Sequence, residues 1–228
     1  MKRIAVSSAT AVAVVLLTWT RIWGREHLKR QWEIKARLEE AIGRDAGYTE
    51  TILKMEKDSH HITYGEFFEL CDKSVNERTN LVVELRGLYP SISNTMKDRL
   101  IDFLNAENDA IRSKRELYRK EMLFSTAMEG LTDAYKDRPT SDYGWDFHRE
   151  RIGRAKQEMT DAAKEVQTSA ESFVDAYQKT MKLESEMSDA AADSGIRFKS
   201  TFREYDQSNE KKGRESVEVA SQVLKEST

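Results

Sequence analysis

The fold is indicated most clearly by residues 152–190, IGRAKQEMTDAAKEVQTSAESFVDAYQKTMKLESEMSDA. Apolar or small residues recur here at alternating steps of three and four without a miss: Ile152, Ala155, Met159, Ala162, Val166, Ser169, Phe173, Ala176, Thr180, Leu183, Met187 and Ala190. Such steps keep one stripe of a helix apolar over its whole length, about 57 Å. The stretch predicts a long helix that buries this stripe against other helices.

The apolar face of this predicted helix is wider than a two-row seam. Large side chains occupy one row and small ones the other, so a partner helix can approach closely. Further residues widen the face at the side, namely Ala163, Ala170, Tyr177 and Ala191. This width favours the core of a helical bundle over a free dimeric coiled coil.

A second long helix is predicted between Thr95 and Lys136, where apolar residues recur every seven positions: Phe103, Ala110, Leu117, Phe124 and Leu131. A short polar loop at 137–144 separates the two long helices. We therefore predict one long antiparallel hairpin over residues 93–194. Beside the apolar row run Glu107, Lys114 and Glu121, also seven apart. We interpret these three side chains as a wet edge of the core, that is, a side of the core that is exposed to solvent. A row that relays protons along the helix is the alternative.

An earlier and shorter hairpin is predicted over residues 25–92. Its second helix should begin at Tyr64, because Thr63 and Glu66 have the spacing of a capping box. Each helix has one charged residue on its apolar seam, Asp45 in the first and Arg78 in the second. If the helices fold back on each other, the two positions come opposite, and we predict a buried ion pair. Two unrelated charges facing solvent are the alternative.

The longest apolar stretch is residues 4–23, IAVSSATAVAVVLLTWTRIW. As a helix it would measure about 30 Å, which matches the hydrocarbon core of a bilayer. We predict an uncleaved membrane anchor, or signal-anchor, over residues 1–24. At its end, amphipathic rings and cations are placed to meet the lipid headgroups. These predicted membrane-interface residues are Trp19, Arg21, Trp23 and Arg25.

Two alternatives to an anchor are open. A cleaved signal peptide would begin in the same way, but bulky residues stand where cleavage requires small ones. A helix buried inside a water-soluble core would need apolar surroundings that the rest of the chain does not supply.

The side of the membrane on which the body lies depends on two opposing arguments. Basic residues after the stretch outnumber Lys2 and Arg3 before it, which favours a cytoplasmic body. The N-terminal tail is only three residues long and includes both of these positive charges, and this arrangement favours an exported body. We expect a single-pass protein of a bacterial inner membrane with the body outside the cytoplasm.

Composition supports long helices and limits the function classes. Charged residues make up 34% of the 228 residues, and Pro occurs twice. The all-α prediction is thus an N-terminal transmembrane helix followed by an elongated antiparallel bundle of about four long helices, with a C-terminal helix or tail over residues 195–228. Formal net charge is −3, so no nucleic-acid partner is expected.

No motif for chemistry is found. The four histidines and single cysteine form no spacing typical of a metal site, and no glycine-rich phosphate loop occurs. We predict no catalytic residue, no metal and no cofactor, and therefore no enzyme.

Three aromatic residues, Tyr143, Trp145 and Phe147, crowd the loop between the long helices and form a candidate contact site. We therefore expect a non-enzymatic interaction or scaffold module whose partners are the lipid bilayer and a protein, or a second copy through its helices. One span leading into a helical bundle is similar in plan to the input domains of bacterial chemoreceptors. This similarity implies the alternative, a membrane-tethered sensor that binds a small ligand between helices.

Overall fold

The computed structural model describes residues 2–57, 63–88, 94–139, 144–198 and 203–226, with the side chains of 2–20, 22, 57, 94 and 203–205 outside the description. The regular elements in these ranges are five helices, α1 (Lys2–Lys57), α2 (Tyr64–Arg86), α3 (Asn94–Lys136), α4 (Gly144–Asp193) and α5 (Arg203–Glu226). No strand occurs in the described ranges. The all-α prediction and the C-terminal helix are confirmed.

The start of α2 follows from local hydrogen bonding. The Thr63 backbone N–H donates to Glu66 Oε2 at 2.8 Å, and the Glu66 backbone N–H donates to Thr63 Oγ1 at 3.3 Å. This reciprocal pair is the predicted capping box, and α2 begins at Tyr64.

The two longest partners, α3 and α4, form an antiparallel hairpin. Ion pairs fix their register at both ends: Arg99 contacts Glu186 at 2.5 Å, and Lys120 contacts Glu165 at 2.7 Å. Since one residue number rises while the other falls, the chain reverses direction between the two helices.

The other helices pack along part of this hairpin. Helix α2 runs antiparallel to α3, with Arg115 contacting Asp72 at 3.2 Å. Helix α5 contacts both hairpin helices, as shown by hydrogen bonds from Lys114 to Asn209 and from Gln178 to Glu210, each 2.8 Å long.

The buried face of α4 differs from the predicted stripe. The row of Val166, Phe173, Thr180 and Met187 is buried as predicted, but the row from Ala162 to Ala190 is only half-buried. The second buried row is one residue further on: Ala163, Ala170, Tyr177, Glu184 and Ala191. This rotation has a physical cause, because α5 packs on that side of α4 as well as α3 on the other.

Three apolar clusters make up the core. One, near the N-terminal part of α3, includes Leu38, Leu81 and Leu100, and a second lies between α3, α4 and α5 around Phe173. The third joins α1, α2 and α3 around Cys71. Polar side chains fill the space between these clusters.

Helix α5 packs closely against α4 at Gly213. A Cβ atom added there would lie 2.6 Å from Phe173 Cδ1 and 2.8 Å from Val174 Cγ2, which is far inside van der Waals contact. Phe173 is itself fully enclosed. The glycine is therefore required by the packing between the two helices.

We expect Gly213→Ala to lower the free energy of unfolding by about 1–2 kcal/mol, because overpacking outweighs the gain in helix propensity. Gly130→Ala is the matched control, since a Cβ there meets no atom within 4 Å. It should raise stability by about 0.5–1 kcal/mol. Urea unfolding of both variants in one detergent measures the difference; equal effects would contradict the close approach.

Candidate functional site

Arg78 of α2 is fully buried and joins three helices. Its Nε donates to Asp45 Oδ1 of α1 at 2.5 Å, and its Nη2 donates to Thr49 Oγ1 at 2.5 Å. The same Nη2 lies 2.9 Å from Glu107 Oε2 of α3. The structure thus brings together the two residues of the hypothesised ion pair, and it adds a second carboxylate.

One guanidinium cannot neutralise both of these carboxylates. Burial alone would favour loss of the proton from Arg78, but attraction by Asp45 and Glu107 raises the pKa of Arg78 above its ordinary value. For Glu107 burial dominates, and against the pull of Arg78 it raises the pKa of that carboxyl to about 7. Glu107 therefore binds a proton near neutral pH.

The cluster continues into α4 and α5. Asp206 of α5 is 3% exposed, and burial, followed by repulsion from Glu107 and Glu184, raises the pKa of this carboxyl to about 8. Lys114 and Arg78 act in the opposite direction. We call these six side chains, each at most 6% exposed, the buried charged cluster: Asp45, Arg78, Glu107, Lys114, Glu184 and Asp206.

Lys114 is the second cation of the buried charged cluster. Its Nζ pairs with Glu56 of α1 and donates to Asn209 of α5. Burial lowers the pKa of Lys114, while Glu56 opposes this change. Burial also raises the pKa of the neighbouring Cys71 thiol to about 12, so this cysteine stays protonated and is a poor nucleophile.

Four carboxyl groups and two cations make up the buried charged cluster, with contributions from all five helices. Its two cations do not neutralise all of its acids, since Lys114 also pairs with Glu56 outside the cluster. The raised pKa values of Glu107 and Asp206 favour their protonated forms, which lowers the cost of holding these groups in a low-dielectric interior. The arrangement joins all five helices, and all six of its side chains are shielded from solvent.

The structure corrects the predicted wet edge. Glu107 is 6% and Lys114 is 2% exposed, so the prediction is wrong for these two. The reason is that α1, α2 and α5 cover this side of α3. Glu121 is half-buried and accepts a hydrogen bond from Ser216 Oγ at 2.7 Å.

Sequence reasoning missed Glu184, Asp206 and Asn209. Glu184 could have been found, since it lies seven residues after Tyr177 and seven before Ala191 on the row that widened the apolar face. Asp206 and Asn209 gave no such signal, because they lie in a stretch that is almost entirely polar.

The predicted membrane-interface residues lie within α1, about twenty residues after its first residue. Arg21 and Arg25 are exposed, Trp23 is 64% exposed, and the side chain of Trp19 lies outside the described part. Where side chains are described, no helix has an apolar stretch long enough to cross a membrane. The side chains of nearly all of the predicted span, residues 4–20 and 22, lie outside the described part of the chain.

Two of the three candidate contact residues are described. Trp145 is 41% and Phe147 is 72% exposed, and Trp145 packs edge-on against His148 with ring centroids 5.5 Å apart. Tyr143 lies outside the described residues. Across the described ranges, no group of His, Cys, Asp and Glu side chains is arranged to hold a metal ion.

Comparison with known proteins gives no relative for this chain: no protein family, no curated protein and no solved structure matches it. The class of protein is therefore defined by its own fold, an all-α helical bundle with a buried charged cluster.

Proposed function

We propose that this protein is a single-pass, membrane-anchored helical bundle that acts as a non-enzymatic interaction or scaffold module. The anchor is the apolar stretch at residues 4–23, and the contact site is the far end of the α3–α4 hairpin. The observation that carries the proposal is the distance between these two ends, together with the exposed aromatic residues at the second.

The hairpin extends past α1 and α2. The contact between Glu56 and Lys114 places the end of α1 beside the middle of α3, and the rings of Phe67 and Tyr118, 5.0 Å apart, place the start of α2 at the same level. From Lys114, α3 continues for another 22 residues to Lys136, or about 33 Å. Beyond Tyr118, among the described residues, no ion pair, hydrogen bond or ring contact joins this part of α3 to α1 or α2.

The hairpin end is also the point farthest from the anchor. Helix α1 runs parallel to α3, since Asp45 lies at the level of Glu107 and Glu56 at that of Lys114. Adding the two helical lengths gives roughly 80 Å from Trp23 to the hairpin end. A body of this length supports the presentation of a contact site well away from a lipid surface.

Four of the exposed residues at or near that end are large and apolar. Phe147 and Trp145 lie in the first turn of α4, and Met128 and Tyr135 on α3 are 46% and 47% exposed. Such concentrations of exposed apolar side chains are typical of protein contact sites.

The test uses membranes that contain the full-length protein with a photo-cross-linking amino acid in place of Phe147. We expect the protein to stay in the pellet after alkaline carbonate washing and to give a discrete adduct on irradiation. The matched control carries the cross-linker at Glu171, an exposed position in the middle of α4, and should give none. Mass spectrometry of the adduct separates a second copy from a different protein.

Release by carbonate would contradict the anchor, and equal labelling from both positions would contradict the contact site.

The alternative function, a sensor for a small ligand, is favoured by one groove of about 750 Å³ between α1 and α2, where Arg30 and Arg37 lie beside Ile34 and Val83. A thermal-shift screen with small anions would show ligand-dependent stabilisation only under this alternative.

A further inference from the structure

The part of α1 that follows the apolar stretch has two different sides. Toward the bundle it places Ile34, Leu38 and Ala41, which pack in the first apolar cluster. On the opposite side, at 100° of rotation per residue, an arc of roughly 100° holds five exposed residues. We call these the outward face of α1: Arg21, Arg25, Leu28, Lys29 and Trp32.

The outward face combines positive charge with apolar side chains. Leu28 is 55% and Trp32 is 71% exposed, and three basic residues stand among them. Between Arg21 and Glu33 the acids are Glu26 and Glu33, and both lie outside the arc; the next acid on this side, Glu39, is half-buried and lies ten residues beyond Lys29. A cationic surface that also exposes an indole ring and a leucine is suited to an anionic lipid headgroup region, in which both kinds of side chain are favourable.

The distances along α1 fit this partner. If residues 4–23 span the bilayer, Arg25 and Lys29 follow the end of the span by about 3 and 9 Å. The headgroup region is roughly 5–7 Å deep on each side. Side chains on a helix tilt toward its N-terminus, here toward the bilayer, so both cations can reach lipid phosphates without a bend in α1.

We propose that the outward face of α1 is a second, electrostatic contact with the membrane, selective for anionic lipids, which fixes the rotation and tilt of the anchored bundle. This proposal rests on the membrane anchor proposed above. Each basic residue close to an anionic surface favours the contact by about fivefold.

The experiment uses the full-length protein with Leu28→Cys carrying a spin label. The native Cys71 is buried and does not compete for the label. The protein is reconstituted into phosphatidylcholine vesicles with or without phosphatidylglycerol, and collision of the label with a water-soluble paramagnetic relaxant is measured. We expect protection only with phosphatidylglycerol, reversed by high salt.

Charge variants provide the matched comparison. Arg25→Gln with Lys29→Gln should weaken protection by about 25-fold, whereas Arg149→Gln with Arg154→Gln, at exposed positions of α4, should leave it unchanged. A label at Glu33→Cys, outside the arc, should stay accessible in both lipids.

The outcomes separate the two proposals. Equal accessibility in both lipids, in protein that floats with the vesicles, overturns the lipid contact and leaves the anchor. If protection of the label depends on protein density and not on lipid charge, the outward face of α1 contacts a second copy of the protein. This result also overturns the lipid contact. Flotation only with phosphatidylglycerol overturns the span alone, and no flotation overturns both.

Discussion

Replacing Arg78 with methionine is expected to lower the free energy of unfolding by about 3–5 kcal/mol. The substitution removes the one cation that contacts both Asp45 and Glu107 and leaves the buried Asp45 carboxylate without its ion-pair partner. It also takes away the hydrogen-bond donor to Thr49. Methionine fills much of the same volume as arginine, so the loss of stability is due to the missing charge and not to a cavity.

An exposed ion pair between the same two helices serves as the control. Arg44 contacts Glu84 at 2.8 Å, with side chains 37% and 55% exposed. Arg44→Met should cost at most about 1 kcal/mol, because solvent screens the pair. Both variants are compared by chemical denaturation in one detergent.

A second substitution tests the cause of the loss. If the uncompensated carboxylate is responsible, adding Asp45→Asn to Arg78→Met should restore part of the stability, since the buried group that lost its cation becomes neutral. A loss in Arg78→Met no larger than that of Arg44→Met would show that the pair contributes nothing beyond a surface contact.

Raising the pH from about 5 to 8.5 is expected to weaken the docking of α5. The folded-state pKa of Asp206 is raised from 3.8 to about 8, so folding binds a proton at this carboxyl. Its contribution is complete below pH 4 and is lost as the pH rises to about 8. Glu107, raised from 4.5 to about 7, acts in the same direction.

The groups around Asp206 come from three other helices. Glu107 and Lys114 lie on α3, Glu184 on α4 and Arg78 on α2. One pKa unit corresponds to about 1.4 kcal/mol, so ionisation of Asp206 is expected to weaken the packing of α5 on the hairpin.

The matched variants are Asp206→Asn and Glu218→Gln, which remove a buried and an exposed carboxylate of the same helix. At about pH 4 Asp206→Asn should resemble the parent, and the difference should grow as the pH rises. At pH 8.5 the variant should be more stable by on the order of 1–3 kcal/mol. Glu218→Gln should follow the parent throughout. Hydrogen exchange of α5 and thermal unfolding across this pH range provide the measurement; parallel curves for all three proteins would rule out a proton bound at Asp206.

How much of the fold and of the buried charged cluster could be predicted from the sequence depended on whether polar residues interrupted an apolar pattern. Asp45 and Arg78 each replace an expected apolar residue on a heptad seam, so their burial followed from the seam. Glu107 and Lys114 lie one row to the side of an apolar row, and whether such a row is wet or dry depends on how many helices cover it. The sequence of α3 alone does not show how many helices cover this row.

The docking of α5 could not be predicted for a related reason. Hydrophobic periodicity detects helices that bind through apolar stripes, whereas α5 is buried largely through Asp206, Asn209 and Gly213. Two of these are polar and the third offers no side chain. Their 3-4 spacing is visible once their partners are known, but in isolation it resembles a solvated helix.

The buried charged cluster has a consequence for biosynthesis. Its members come from all five helices described above, and Asp206 is in α5, which leaves the ribosome after the other four. A nascent chain that has emerged only as far as α4 exposes Glu107, Lys114 and Glu184 to water, together with the apolar groove around Phe173. Native closure of the bundle is therefore delayed until α5 has emerged, and chaperones have that interval in which to act.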